Sequence, residues 1–264
     1  MADNYIESIE ANVNGAKQDV PVRDAEAAHV FGNAGSHNSI FRGKNLGTQV
    51  TDAQYQAIQA GTFDDLYIGD YWVIGGVTWL IAGFDYYYGC GDTAFNKHHV
   101  VIVPLSPLYN HAMNKTNTTD GGYVGSLMYT EGLEQAKTQI QQAFGAEHVL
   151  SHRIYLINAT LSGLPSKGGW YDSTVDLMNE NMVYGCMIFS VANTSTAFSQ
   201  NYRVEKSQLP LFAMYPYASF NRSAFWLRDT VSASYFALAY STGNASNASA
   251  SGARGVRPAF CIGI

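Results

Sequence analysis

The C-terminal segment, Phe225 to Ile264, constrains the fold of this chain more than any other stretch. Two stiff anchors, Phe225–Arg228 and Gly255–Phe260, bracket a run from Ser232 to Ala253 that is made almost entirely of Ser, Ala, Asn, Gly, Thr and Tyr. Ser, Gly and Asn give adaptable hydrogen bonding, and Tyr gives a large contact area at little entropic cost. The composition fits either an adaptive binding surface or a polar loop without a partner. Its place between two apolar anchors favours the binding surface.

Four residues of the anchors are predicted to form a structural frame: Trp226, Arg228, Gly255 and Arg257. Trp226 is expected in a core strand, and Arg228 is expected to pair with Asp229 and orient the following loop. Gly255 is expected to supply a backbone conformation that other residues cannot adopt. The Arg257 guanidinium offers five donors in a fixed fork and is expected to satisfy loop carbonyls.

The bracketed run also yields the candidates for ligand contact. Alternation along a strand places Phe236 and Leu238 inward and Tyr235, Ala237 and Ala239 outward. With the loop that follows, the candidate ligand-binding residues are Tyr235, Tyr240, Thr242, Asn244, Asn247 and Ala250.

The frame WLRD…GVRPAF, preceded by a Ser/Asn/Gly/Tyr-rich segment, resembles the C-terminal part of a C-type-lectin-like fold. It is similar in particular to the variable proteins of diversity-generating retroelements and to related phage tail receptor-binding proteins. The stretch LYIGDYWVIGGVTWLIAGFDYYYG, with KHHVVIVP after it, also resembles gut-bacterial prophage proteins of this kind. The resemblance implies a scaffold that holds solvent-exposed positions whose adenine-rich codons are randomised.

The same resemblance implies the partners and the location. The expected ligand is a bacterial cell-surface protein or glycan, with other virion proteins as further partners. The expected location is the phage tail, or the bacterial cytoplasm before assembly. Neither a cofactor nor a bound metal ion is expected.

Two alternatives stay open beside the binding protein. One is a structural virion or tail component whose terminal segment only packs against its neighbours. The other is an enzyme of the formylglycine-generating type, which shares the fold superfamily. The three cysteines, Cys90, Cys186 and Cys261, are widely spaced and form no CxxC pair, so they indicate neither a disulfide framework nor a zinc site. An enzyme of the formylglycine-generating type would need paired copper-ligating cysteines, which the sequence does not show, so catalytic activity is not expected.

Composition and charge exclude several other classes. Of the 264 residues, 47% are hydrophobic and 14% are charged, which fits a folded globular protein. A net charge of −6 argues against a nucleic-acid partner, because such proteins carry basic stripes. No apolar run reaches the length of a membrane helix, so no membrane partner is expected. The N-terminus is acidic without a hydrophobic core, so a secretory signal is not expected either.

Residues 1–50 are predicted to form an N-terminal extension or small module, and residues 51–264 a C-type-lectin-like domain with its variable segment at 232–253. The predicted helices are an amphipathic helix over residues 1–15, a capped helix from Asp52 to Ala60 that ends at Gly61, a helix from Leu133 to Phe144, and a helix opened by Ser173-x-x-Asp176 that stops at Gly185. Leu66–Val73 and Val77–Phe84 are predicted to form a hairpin about Gly75-Gly76. Small mixed sheets flanked by two or more helices, without a βαβ rhythm, define an α+β protein.

Some polar residues outside the terminal segment invite other chemistry. Asp64, Asp65 and Asp70 suggest calcium but lack EF-hand spacing, so an acidic turn is favoured. His98 and His99 are adjacent in the chain and point to opposite faces of a strand, so structural roles are favoured over chelation. Cys90 lacks an evident activating base, so a nucleophile is not expected there. Residues 107–123 are predicted to form a polar connection. Tyr215 and Tyr217 are assigned to the core in preference to the binding surface.

Overall fold

The computed structural model describes residues 8–13, 16–21, 34–190, 205, 207–219 and 222–264. Helices and several small sheets are both present, so the predicted α+β class is confirmed. The α-helices are α1 (Ala34–His37), α2 (Asp52–Ala60), α3 (Glu134–Phe144), α4 (Glu180–Tyr184) and α5 (Pro210–Met214). The strands are β1 (Ser8–Val13), β2 (Ala16–Pro21), β3 (Tyr71–Ile74), β4 (Val77–Phe84), β5 (Val100–Pro104), β6 (Tyr109–Ala112), β7 (Val149–Leu150), β8 (His152–Leu161), β9 (Leu164–Ser173), β10 (Val175–Leu177), β11 (Phe225–Thr230), β12 (Tyr235–Ala239), β13 (Ala245–Ser249), β14 (Ala253–Val256) and β15 (Pro258–Ile262).

The helix predicted over residues 1–15 is wrong where the chain is described. Residues Ser8–Val13 are strand β1, which pairs antiparallel with β2 and sets Ile9 opposite Val20. β-Branched residues fit a pleated strand, and a pairing partner a few residues away outweighs the weak helical spacing. Residues 1–7 of that prediction lie outside the described part of the chain.

The predicted hairpin of the first large sheet is confirmed, with a first strand that begins at Tyr71. This six-stranded sheet has the order β10-β15-β5-β4-β3, and β7 also pairs with β15. Gly75 and Gly76 have φ of 61° and 78°, the left-handed conformation that a tight hairpin turn requires. The Trp79 side chain is 1% exposed, which confirms its predicted place in the core.

Helix α2 has the predicted ends. The Thr51 side chain accepts from the Gln54 backbone N–H, and the Gln54 side chain accepts from the Thr51 N–H at 3.0 Å. Gly61 closes the helix with φ of 72°. Tyr55 and Ile58 then lie on the buried face.

We expect Thr51→Ala to lower the free energy of unfolding by about 1 kcal/mol, because one N–H at the helix start loses its acceptor. Urea unfolding followed by circular dichroism measures the change. Thr51→Ser keeps the acceptor and should stay close to wild type. Equal stability of the Ala variant and wild type would contradict the cap.

The two remaining helix predictions have opposite outcomes. Helix α3 ends at Phe144 as predicted, after a π-helical turn over Met128–Gly132. The helix expected from Ser173 is wrong, because residues 175–177 are strand β10, paired with β15, and α4 begins at Glu180 with Asn179 as its cap. Asp176 instead accepts hydrogen bonds from Ser173 and, at 3.1 Å, from the Tyr123 hydroxyl. Gly185 ends the helix as predicted.

The second large sheet carries the terminal segment. It is five-stranded, in the order β13-β12-β11-β14-β6, with β11 parallel to β14. One face packs Phe236 and Leu238 into an apolar cluster with Trp226. The other face packs Ala237 and Ala239 into the main core, so their predicted outward orientation is wrong. Alternation identifies a solvent face only when one side of the sheet meets water, and here both sides meet protein.

Strands β8 and β9 form a separate two-stranded antiparallel ribbon. Its tip carries Leu161 and Leu164, which are 72% and 43% exposed. Within the described ranges, none of the helices has the length and apolar character needed to cross a bilayer.

Candidate functional site

The candidate site is the terminal hairpin, defined as strands β12 and β13 with their connection, Tyr235–Ser249. The strands pair antiparallel from Tyr235 opposite Ser249 to Ala239 opposite Ala245, without a bulge. The connection turns at Gly243, whose φ is 88°. The Tyr184 hydroxyl of α4 donates to the Gly243 carbonyl at 3.1 Å and ties the turn to the body of the protein.

Five of the six candidate ligand contacts reach the surface in two groups. Tyr235 is 40% exposed and lies on the same face of the hairpin as the half-buried Asn247. Asn247 pairs with Ala237, which is two positions from Tyr235 on strand β12 and therefore points to the same side. Tyr240 is 48% exposed and lies at the connection with the exposed Thr242 and Asn244. The Thr242 hydroxyl donates to the Asn244 side-chain oxygen, which orders that turn.

Ala250 is fully buried, so its predicted ligand contact is wrong. Its methyl group lies in the cluster of Trp226 and Phe236. Its N–H donates to the Ser234 carbonyl and its carbonyl accepts from the Asn114 N–H, each at 2.9 Å. Ala250 therefore closes the hairpin from inside instead of facing a ligand.

The polar connection before α3 holds the terminal segment, a role that the sequence did not reveal. The Thr119 N–H donates to the Ala233 carbonyl at 3.0 Å, and its hydroxyl donates to the Ser232 carbonyl at 2.7 Å. The Asn117 side-chain oxygen accepts from the N–H and the hydroxyl of Ser251. The available signal was the run of short hydrogen-bonding side chains in residues 114–119, which also fits an ordinary loop.

The tip of the β8–β9 ribbon packs against the loop between β11 and β12, at Ser232. Gly163 has φ of 81°, and a Cβ atom there would lie 1.9 Å from the carbonyl carbon of Ser232. Only glycine permits both the turn and this approach. The ribbon therefore fixes the main chain immediately before Tyr235.

Arg257 satisfies carbonyls, as predicted. Its Nε donates to the Pro104 carbonyl at 2.8 Å, and Nη1 donates to the Ala218 carbonyl at 2.7 Å. The guanidinium lies over the rings of Phe212 and Phe225, 5.4 and 4.9 Å from their centroids. Burial lowers the pKa of Arg257 to about 9, so the group stays protonated at neutral pH.

Arg228 does not pair with Asp229, so that prediction is wrong. Adjacent residues of strand β11 point to opposite faces. Arg228 forms a buried ion pair with Glu205 and donates to the Leu177 carbonyl at 2.9 Å. The Tyr87 hydroxyl also donates to Glu205, at 2.8 Å. Asp229 instead accepts from the backbone N–H of Glu180, the first residue of α4.

Gly255 is required for a reason other than the predicted one. Its φ lies outside the left-handed region, so no special conformation is involved. A Cβ atom there would lie 2.6 Å from the Pro107 side chain and 2.8 Å from the Ala224 carbonyl oxygen. Close packing of strand β14 against these two residues excludes any side chain.

The other candidates for chemistry have partners within the protein. Asp65 and Asp70 both bind Arg42, and Lys44 and Arg42 together hold the pKa of Asp65 below its usual value. The His98 imidazole contacts Asp85 at 2.7 Å. The buried His99 accepts from the Tyr87 N–H, and Cys90 is buried.

Tyr215 and Tyr217 are exposed, so their predicted place in the core is wrong. Tyr215 stacks on the partly exposed Phe41 at 4.8 Å between centroids, and its apolar contact is therefore met at the surface.

Comparison of the chain with protein-family models, with curated proteins and with solved structures finds no match in any of the three.

Proposed function

We propose that this chain is a ligand-binding protein of phage or prophage origin with a C-type-lectin-like fold, similar to the variable proteins of diversity-generating retroelements. The terminal hairpin is the binding surface, and its ligand is a protein or glycan of a bacterial cell surface. The alternative of a structural tail component predicts that the same surface packs against virion neighbours.

One observation carries this proposal: next to its exposed positions, the terminal segment is held by hydrogen bonds to its main chain. Thr119 binds the carbonyls of Ser232 and Ala233, and Tyr184 binds the carbonyl of Gly243. Ala250 is held through its N–H and its carbonyl. Main-chain groups are present whatever side chain follows, so the displayed residues can change without breaking these bonds.

The chemistry of the displayed residues supports recognition. Tyr235 and Tyr240 are large and amphipathic, and they lose little conformational freedom on binding. Thr242, Asn244 and Asn247 add hydrogen-bonding groups that adapt to different partners. The hairpin carries no charged residue, so its contacts do not depend on a charged ligand.

The joint replacement of Tyr235, Tyr240, Asn244 and Asn247 with Ala tests the proposal. We expect binding of the labelled protein to a panel of bacterial strains, or to a glycan array, to fall about 30-fold or more, since truncating central contacts costs about 2 kcal/mol or more. Flow cytometry and array fluorescence measure the loss. Thermal unfolding should show the fold retained, because these side chains lie outside the core.

A matched control replaces two exposed aromatic residues outside the hairpin, Tyr88 and Tyr217. This variant should bind like wild type. Undiminished binding by the four-residue variant would reject the hairpin as the binding surface. The gene gives an independent test: a near-identical repeat of the codons for Ser232 to Phe260, differing at adenines and followed by a reverse transcriptase gene, is expected downstream.

A further inference from the structure

Strand β13 is the outer strand of its sheet on the side of the terminal hairpin. It pairs with β12 on one side, and no strand among the described residues pairs with its other side. An unpaired edge presents a row of N–H and C=O groups that can bind another extended chain.

The other outer strands of the two large sheets are covered. Residues 44–47 hydrogen-bond along β3, through contacts such as Tyr71 N–H to the Lys44 carbonyl at 2.9 Å. The outward groups of β10 at Leu177 bind the Tyr123 hydroxyl and Arg228. The π-helical turn over Met128–Gly132 packs against β6. Against this background the open side of β13 is an exception.

Strand β13 also lacks the usual features that prevent strand addition. Its residues, Ala-Ser-Asn-Ala-Ser, include no proline and no charge, and its register has no bulge. By contrast, β9 contains Pro165 and Lys167, and the register between β8 and β9 shifts twice. Proline, lysine and bulges are the devices by which edges normally avoid pairing. Small side chains additionally let a partner backbone approach closely.

The hydrogen bonds of the hairpin identify the free groups. The Tyr240 N–H donates to the Asn244 carbonyl and the Ala250 N–H donates to the Ser234 carbonyl, and both pairs share the register of β12 with β13. Because bonded pairs alternate in an antiparallel ladder, Ser246 and Ala248 face β12. The three remaining residues turn their main-chain groups outward: Ala245, Asn247 and Ser249.

Local donors use part of this outward row. The Asn244 side chain donates to the Ala245 carbonyl at 3.2 Å, and the Gly252 N–H donates to the Ser249 carbonyl at 2.9 Å. No other described residue bonds to the N–H groups of these three residues or to the carbonyl of Asn247, so these groups remain for a partner. They extend over about 14 Å, at about 3.4 Å per residue.

We propose that an extended polypeptide segment of the ligand binds by adding a strand to the outer edge of β13. This inference rests on the proposed function and narrows its ligand to a polypeptide. A main chain in strand conformation offers donors and acceptors at the spacing of the free groups, with side-chain selection by residues such as Tyr235 and Asn247 beside the edge. The inference commits to a foreign polypeptide as the occupant, because the net charge of −6 disfavours the approach of a second copy.

A pair of substitutions at one position tests the proposal. The Asn247 N–H points away from β12, so Asn247→Pro removes a donor to the ligand and leaves the hairpin ladder intact. Asn247→Ala removes the same side chain and keeps the N–H. A yeast-displayed library of random linear peptides, selected on the wild-type protein, supplies the probes, and a glycan array is run in parallel.

We expect the selected peptides to bind Asn247→Pro at least about 10-fold more weakly than Asn247→Ala, because both variants lack the Asn247 side chain and only Asn247→Pro also loses roughly one hydrogen bond and adds a clash. Hydrogen exchange of the wild type gives a second readout that needs no variant. Peptide binding should protect the amides of Ala245, Asn247 and Ser249, while those of Ser246 and Ala248 are already slow in the free protein.

Four results would overturn the edge as the ligand-binding site. Peptides that bind Asn247→Pro as tightly as wild type, yet lose affinity for the four-residue Ala variant, would leave the proposed function standing and reject strand addition. Binding of glycans but of no peptide would likewise leave the proposed function standing and reject strand addition. A wild-type dimer in sedimentation analysis that Asn247→Pro abolishes would assign the edge to a second copy. Absence of any binder in the peptide library would reject this inference, while binding of the wild type to the panel of bacterial strains decides the proposed function separately.

Discussion

Trp226→Ala should lower the free energy of unfolding by about 3–5 kcal/mol, the cost of truncating a large aromatic residue in a packed core. The Trp226 side chain is fully buried in the apolar cluster that also holds Phe236 and Leu238. Its indole N–H donates to the half-buried His111 carbonyl at 2.8 Å, and the substitution also removes this hydrogen bond. Urea denaturation measures the change, provided that the variant and the wild type have the same dependence of unfolding free energy on urea concentration.

Trp226→Phe is the matched control, since it keeps most of the apolar volume and removes the indole N–H. We expect a loss of about 1–3 kcal/mol, which isolates the unpaired His111 carbonyl and the smaller ring. Similar losses for the Ala and Phe variants would show that packing around Trp226 is not what holds this sheet together.

Glu205→Gln should destabilise the protein by about 3–5 kcal/mol, because it leaves the buried Arg228 charge without a counter-ion. The side chains of Arg228 and Glu205 are 8% and 3% exposed. The Leu177 carbonyl remains as an acceptor but cannot neutralise the guanidinium. Thermal and urea unfolding of the variant measure the loss.

The double variant Glu205→Gln with Arg228→Met is the control for this pair. Replacing both members removes the uncompensated charge, so we expect the double variant to be more stable than Glu205→Gln alone. If the stability lost by the double variant equals the sum of the losses in Glu205→Gln and Arg228→Met, the two side chains do not interact and the ion pair is rejected.

The parts of the fold that could be predicted from sequence depend on short-range signals. The cap at Thr51 and the turn at Gly75-Gly76 involve residues a few positions apart, and both are present in the structure. The helix expected after Ser173 failed because Asp176 is bound to Tyr123 and β10 pairs with β15, contacts that are distant in sequence. In a buried segment, contacts that are distant in sequence override the local helix signal.

The candidate site was predicted in part for the same reason. Tyr235 and Tyr240 are exposed, as their place in a polar hairpin suggests. Ala250 is buried because its neighbours in space come from another cluster, and a lone alanine gives no signal of that. The partner of Arg228 could not be predicted from sequence, since Glu205 lies 23 positions away with no pattern linking the two.

The attachment of the terminal hairpin through its main chain has a consequence for how this protein can evolve. Around the exposed positions the hairpin is held by main-chain atoms that every amino acid shares and by buried side chains such as Phe236 and Leu238, whereas recognition depends on the exposed side chains. Substitutions at the exposed positions of the hairpin therefore change the choice of target at little risk to the native state. A designer could use the same separation to build a library of binders on this scaffold without re-optimising the scaffold for each member.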